Sequence, residues 1–171
     1  GGALIINDDS LVEKVRYLIN FGIKSPTEIP HLGTNAKMNE FEAAMGLCIL
    51  DDIEKIKTNR KKVVENYREN LNNIVQFQEQ NINASENYSY FPILFKNEEE
   101  LLKVQKALNE KQIFPRRYFY PSLDTLDYIK PKQICEISQD ISKRVLCLPL
   151  YMELEKEDQD KIMEILRKNY D

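Results

Sequence analysis

From Asn39 to Leu71 the chain meets no proline and a single glycine, Gly46. A stretch with so few breakers has little choice but helix. Asn39 suits the N-cap, with Glu42 three residues later in a capping-box arrangement. Phe41, Ala44, Met45, Cys48, Ile49 and Ile53 form an apolar stripe, which Ile56, Val63, Val64, Tyr67 and Leu71 continue past a bend. Some 30 residues of helix would reach ~45 Å, long for one compact core and suited to a strut between two domains. Gly46 costs about 1 kcal/mol relative to Ala in a helix interior. With Ala43 and Ala44 beside it, it predicts a thin side where another backbone approaches.

The two sides of this strut differ in pattern. Before it, residues 1–6 (Gly-Gly-Ala-Leu-Ile-Ile) read as a short buried strand, and Asn7-Asp8-Asp9-Ser10 as a turn able to cap a helix over 11–20. Phe21-Gly22 ends that helix, and residues 24–37, with Pro26, Pro30 and Gly33, form a loop. One strand-helix unit cannot make a sheet by itself, so its neighbours are expected upstream. Gly1 is neither a signal peptide nor a natural start, which adds to the expectation of a piece cut from a longer chain. After it, the polar 81–87 segment leads to a strand over 88–95, at an edge because of Pro92. Asn97 and Glu100 cap a helix over 98–111, and 113–120 is extended. Residues 121–133 are irregular, followed by a helix over 134–143, a strand over 145–150 and a helix over 158–169. The expected organisation is the end of a larger α/β domain (1–50), a connecting helix (51–80) and a small α+β domain (81–171).

Composition removes several function classes. At 42% hydrophobic residues and net charge −4 over 171 residues, the chain is globular rather than disordered. No apolar run approaches the roughly 20 residues of a membrane span, and the acidic balance argues against nucleic acid as a partner. Cys48, Cys135 and Cys147 are odd in number and lack CxxC spacing, so they read as small buried hydrophobes in a reducing cytosol, with neither disulfide framework nor metal site. His31 stands alone, which excludes any two-histidine mechanism within the chain.

Two stretches carry chemistry. In the first, Gly33-Thr34-Asn35 before a helix offers N–H groups and a side-chain amide to a phosphate or carboxylate, and Lys37 adds positive charge. The plain alternative is an ordinary turn. In the second, Arg116-Arg117-Tyr118-Phe119-Tyr120-Pro121 interleaves guanidinium groups with aromatic rings, which suits a planar, anionic ligand. Its alternative is a half-buried strand with solvated arginines.

Together these pieces resemble the later half of the DegT/DnrJ/StrS sugar aminotransferases, pyridoxal-phosphate enzymes of the aspartate aminotransferase fold (fold type I). The resemblance runs from Gly1-Gly2-Ala3-Leu4-Ile5-Ile6-Asn7-Asp8-Asp9 through Asn20-Phe21-Gly22 and the Gly33–Met38 loop to Asn39-Glu40-Phe41-Glu42-Ala43-Ala44-Met45-Gly46-Leu47. It continues at Asn59-Arg60, Tyr67, Cys147-Leu148-Pro149-Leu150-Tyr151 and Glu157-Asp158. It implies a cytoplasmic homodimer with active sites at the subunit interface, using pyridoxal 5'-phosphate to move an amino group from glutamate onto a nucleotide-linked keto-deoxysugar for surface polysaccharide. Asn35 matches the residue that reaches the cofactor phosphate of the other subunit, and Lys37 lies where a basic residue faces the substrate. Arg116, Tyr118 and Tyr120 fall in the stretch near the sugar nucleotide. Phe119 stands where many members have His, which departs from their pattern and brings the chain nearer to 4-keto-sugar aminotransferases. The lysine that forms the internal aldimine is expected upstream of Gly1, so no catalytic residue is assigned here and these 171 residues are expected to be inactive alone. Two rivals remain open: a sugar dehydratase of the same family, and a non-catalytic α+β interaction module.

Overall fold

The structure, a computed structural model, describes residues 2–170 and divides into two compact units, one up to Ile53 and one from Glu54 onward. In the first, a 3-10 turn (Asp9–Leu11) leads into α1 (Val12–Leu18), with Asp8 Oδ1 accepting from Ser10 N at 3.0 Å. The chain leaves α1 through Phe21 and Gly22, at φ 58° and 79°. A Cβ on Gly22 would lie 1.7 Å from His31 O, and one on Gly33 would lie 2.2 Å from Gly22 N. Only glycine fits either place. The two glycines let the loop fold back along the end of α1, where Thr34 N donates to Leu18 O at 2.8 Å and Ala36 N to Ile19 O at 2.9 Å. Next comes α2 (Glu40–Asp51), opened by the expected capping box: Asn39 Oδ1 accepts from Glu42 N at 2.9 Å and Glu42 Oε2 from Asn39 N at 3.1 Å.

Three expectations for this part need correction. The strand over 1–6 is not formed across residues 2–6, and Gly1 lies outside the described residues. A strand exists only as part of a ladder, and no strand lies beside this segment among the described residues. The long helix is interrupted at Asp52 (φ −93°, ψ 0°), and α3 (Ile53–Leu71) starts afresh. The Asp51-Asp52 pair is a physical reason: Asp side chains compete for nearby backbone groups, so Asp is a poor helix-interior residue and favours caps and turns. Finally, the apolar stripe is exposed, with Phe41 at 89% and Met45 at 65%, and a Cβ on Gly46 would meet nothing within 4 Å.

The second unit holds a continuous core. α3 contributes Val63, Val64, Tyr67 and Leu71. A three-stranded antiparallel sheet follows in the order β1 (Gln76–Phe77), β2 (Phe91–Leu94), β3 (Val145–Leu148). α4 (Glu98–Glu110) adds Leu101, Val104 and Leu108, and α6 (Lys156–Asn169) adds Ile162, Met163 and Leu166. The buried Tyr67 hydroxyl donates to Pro149 O at 3.2 Å, and burial pushes its phenol up from its ordinary pKa. α5 (Glu136–Arg144) leads directly into β3.

β2 occupies the middle of the sheet, not the edge that Pro92 implied. Register explains the tolerance. Pro92 pairs with Cys147, whose own N–H and C=O both turn the other way, to Arg116 O at 2.8 Å and Arg116 N at 3.1 Å. Pro92 therefore stands in a non-hydrogen-bonded pair, and its missing donor faces the β1 side. There β1 pairs only with Leu94 and Ile93. Two of the three cysteines also depart from expectation: Cys147 is buried, whereas Cys48 and Cys135 are exposed, on α2 and in the irregular segment before α5. Among the described residues no helix is long and apolar enough to cross a membrane.

Candidate functional site

The candidate residues fall in both units, and each group takes its shape from its own unit. In the first, Asn35 forms an isolated antiparallel bridge with Asn20, and its exposed carboxamide has no side-chain hydrogen bond among the described residues. Lys37 Nζ donates to Asn20 Oδ1 at 2.7 Å and sits 4.5 Å from the centroid of the Phe21 ring. The backbone cradle expected for an anion is largely spent, because the Thr34 and Ala36 amides serve the carbonyls at the end of α1. Glu42 likewise occupies the start of α2. What this loop offers an anion is two side chains, the Asn35 amide and the Lys37 ammonium, rather than a nest of N–H groups.

In the second unit, the double backbone bond between Arg116 and Cys147 extends the sheet beyond β3 and fixes the register of the Arg-aromatic segment. Alternation then divides the sheet's faces. Phe91, Ile93, Leu146 and Leu148 point into the core. Pro92, Leu94, Val145 and Cys147 floor a cavity of about 610 Å³ on the opposite face. Arg116, exposed, donates to the Tyr118 hydroxyl at 2.6 Å. Tyr118 meets Tyr90 edge-on at 5.3 Å between ring centroids.

The neighbouring arginine behaves differently. Arg117 donates to Glu98 Oε1 at 2.6 Å and to Lys143 O at 2.9 Å, and its guanidinium lies 3.8 Å from the centre of the Tyr120 ring. Only 16% of its side chain is exposed, so it anchors the segment to α4 and the end of α5. The structure thus joins Arg116 to Tyr118, and places Tyr120 with Arg117 instead. Burial pushes the Cys147 thiol up, so it stays protonated at neutral pH and acts as cavity floor. Sequence reasoning missed Tyr90 and the amide-bearing Gln78 and Asn87 at the same cavity. The aromatic run Tyr88-Ser89-Tyr90-Phe91 was a visible signal for the first, whereas the other two needed the fold. Among the described residues no group of three His, Cys, Asp or Glu side chains could hold a metal ion.

Comparison with known proteins matches residues 1–167 to the DegT/DnrJ/EryC1/StrS aminotransferase family. The chain is 33% identical, over 98% of its length, to a dTDP-4-amino-4,6-dideoxy-D-glucose transaminase of Shigella dysenteriae, covering 48% of that protein. It is 26% identical, over 99% of its length, to a GDP-perosamine synthase of Escherichia coli O157:H7, covering 47% of that one. Among solved structures, DesI in the presence of its TDP-sugar product superimposes with a TM-score of 0.82 at 27% identity, over 96% of this chain and 44% of that one. The chain therefore spans about half the length of the curated relatives it matches, and its fold is that of the fold-type I aminotransferases. By the extent of the family match, the chain belongs to the DegT/DnrJ/EryC1/StrS aminotransferases.

Proposed function

We propose that these residues are the later half of a pyridoxal-phosphate-dependent nucleotide-sugar aminotransferase. It moves an amino group from glutamate onto a dTDP-linked 4-keto-6-deoxyhexose for surface polysaccharide, as a cytoplasmic homodimer. The observation that carries this reading is the 33% identity to a dTDP-4-amino-4,6-dideoxy-D-glucose transaminase across 98% of the chain. The residues present fit their share of the cofactor. Asn35 has an exposed carboxamide free to donate to a phosphate oxygen, two residues from the Lys37 ammonium. Bound pyridoxal phosphate supplies the electron sink for amino transfer.

This chain's own residues do the holding and orienting. Asn35 donates to the cofactor phosphate, and Lys37 offsets negative charge beside the substrate. Arg116 forks onto the substrate's phosphates with Tyr118 steadying its guanidinium, and Tyr120 stands by the sugar. The chain spans about half the length of its relatives and none of its residues is assigned the bond to the cofactor, so the 171 residues alone are expected not to turn over. The test uses the intact gene product with pyridoxal phosphate, glutamate and dTDP-4-keto-6-deoxyglucose, measuring 2-oxoglutarate and the amino sugar. Asn35→Ala should weaken cofactor retention by ~1–3 kcal/mol, the worth of a charge-assisted hydrogen bond. Failure of the intact protein to take up pyridoxal phosphate overturns the reading, as does loss of the sugar hydroxyl without any 2-oxoglutarate, which marks a dehydratase.

A further inference from the structure

The stretch from Arg116 to Asp124 is fastened repeatedly to one other piece of chain, the run from Ser138 on α5 to Cys147 on β3. At its start, Arg116 and Cys147 exchange both backbone bonds, at 2.8 and 3.1 Å. One residue on, Arg117 donates to Lys143 O at 2.9 Å and to Glu98 of α4 at 2.6 Å. At its far end, Asp124 Oδ2 accepts from Gln139 Nε2 at 2.6 Å and from Cys135 N at 2.9 Å. The Ser122 and Ser138 hydroxyl oxygens lie 2.7 Å apart. Ser122 gives its single proton to Asp124 Oδ1, so it accepts from Ser138. The segment thus runs back along α5, from Cys147 past Lys143 to Ser138 and Gln139.

Between the two sets of bonds stand Tyr118, Phe119, Tyr120 and Pro121. The base they are tied to is firmly seated. Arg144 Nη1 donates to Phe95 O at 3.0 Å, Phe95 N donates to Arg144 O at 2.9 Å, and Ser142 is buried. Gln139 and Ser138, by contrast, take no part in the hydrophobic core. Their bonds reach outward, to the far end of the aromatic segment. A segment held at one end swings about that end, whereas one held at both keeps its side chains in a single arrangement.

We propose that Gln139 and Ser138, acting through Asp124 and Ser122, are positioning residues that hold Tyr118 and Tyr120 in place for the substrate. This rests on the nucleotide-sugar reading above and adds to it residues that work through their partners rather than on the substrate. Arg117 and Glu98 fix the near end, so releasing the far end loosens the segment without detaching it.

The test compares the intact gene product with its Gln139→Ala, Ser138→Ala and Ser138→Thr variants. The first reading is hydrogen exchange, which needs no substrate. In Gln139→Ala the Tyr118 amide, bonded to Arg116 O at 3.1 Å, should exchange about five- to tenfold faster, the scale of one hydrogen bond. The Val104 and Leu108 amides of the buried α4 should not change, which separates a released segment from a weakened fold. The second reading is kinetic, with glutamate and dTDP-4-keto-6-deoxyglucose. KM for the sugar nucleotide should rise about fivefold, on the same scale, with kcat and the kcat/KM for glutamate unchanged. Ser138→Ala should show both effects, and Ser138→Thr, which keeps the hydroxyl, should match the unaltered protein. Equal exchange at Tyr118 with and without Gln139 overturns the proposal, as does faster exchange at Tyr118 and α4 alike. So does an unchanged KM for the sugar nucleotide in an active variant whose Tyr118 exchange has risen. An intact protein that transfers no amino group to this sugar sinks the aminotransferase reading instead, and exchange at Tyr118 then decides the fastening alone.

Discussion

Helices α2 and α4 are twelve and thirteen residues long, and each begins on an asparagine whose side chain accepts from the backbone N–H three residues on. They end in opposite situations. α4 spaces Leu101, Val104 and Leu108 three and four apart and buries all three completely. α2 is apolar almost all round and has no buried residue, with Leu47 at 65% and Leu50 at 62% exposed. A stripe at helical spacing describes a helix with one buried side, whereas an all-round apolar helix needs neighbours on several sides. The same contrast separates the two units: every buried hydrophobic residue among those described lies between Val63 and Leu166. Burial is thus decided by the partners an element finds, not by its hydrophobic content alone.

The sharpest way to break this contrast is to truncate equivalent side chains in the two helices. Leu101→Ala and Leu108→Ala should each cost about 2–5 kcal/mol of stability, the usual loss for a leucine removed from a packed core. Met45→Ala and Leu50→Ala should stay within about 0.5 kcal/mol, as exposed substitutions do. Urea unfolding of the 171-residue chain reads both. Equal losses on the two helices would mean that α2 is covered in solution.

Smaller effects should follow from the caps. Removing an asparagine N-cap costs about 1 kcal/mol of helix stability. For Asn97→Ala that loss belongs to a helix packed in the core and should appear in global unfolding. For Asn39→Ala it falls on a helix with no buried residue. It should appear as faster hydrogen exchange at Glu42 and Ala43, with the unfolding midpoint unmoved. A shifted midpoint in Asn39→Ala would tie α2 to the cooperative core.

These contrasts also mark what sequence alone could reveal. Asn39, Asn97 and Gly22 act through a few neighbouring residues, and local spacing is enough to read them. The stripes of α4 and α6 were legible because each presents one face to one core. The break at Asp52 was subtler, since a pair of Asp residues weakens a helix interior only modestly and does not by itself mark a stop. Pro92 misled because its effect depends on register: whether a missing N–H matters is decided by the strand opposite. The candidate site divides the same way. The Arg116–Pro121 segment was visible as composition, but its partition into a free Arg116 with Tyr118 and an anchored Arg117 with Tyr120 depends on Glu98 and Lys143, 18 or more residues away in sequence. Cavity walls from Gln78, Tyr90 and Ser138 come from three separate elements, and no spacing rule brings them together.

The finest test compares two surface carboxylates, one in each unit. Asp8 accepts from the hydroxyl and the N–H of Ser10 alone, and those bonds lower its pKa. Asp124 is held by Ser122, by Cys135 N at 2.9 Å and by Gln139 Nε2 at 2.6 Å, which together bring it to about 2. Ser122 donates the bond with the largest effect, followed by Cys135 and then Gln139. Because the folded value lies below the ordinary carboxylate value of about 3.9, the Asp124 bonds stabilise the loop above that pH. Their contribution fades as pH falls from about 4 through 2. Asp8 is exposed and Asp124 half-buried in a surface loop, so the readout is a titration and not a change in global stability. Side-chain carboxyl shifts should show Asp8 titrating below the ordinary carboxylate value and Asp124 near 2, with the Cys135 amide following the Asp124 midpoint. In Asp124→Asn the Cys135 amide should lose that acid transition while Asp8 titrates as before. If the Cys135 amide still moves near pH 2 in that variant, the loop is held by something other than Asp124.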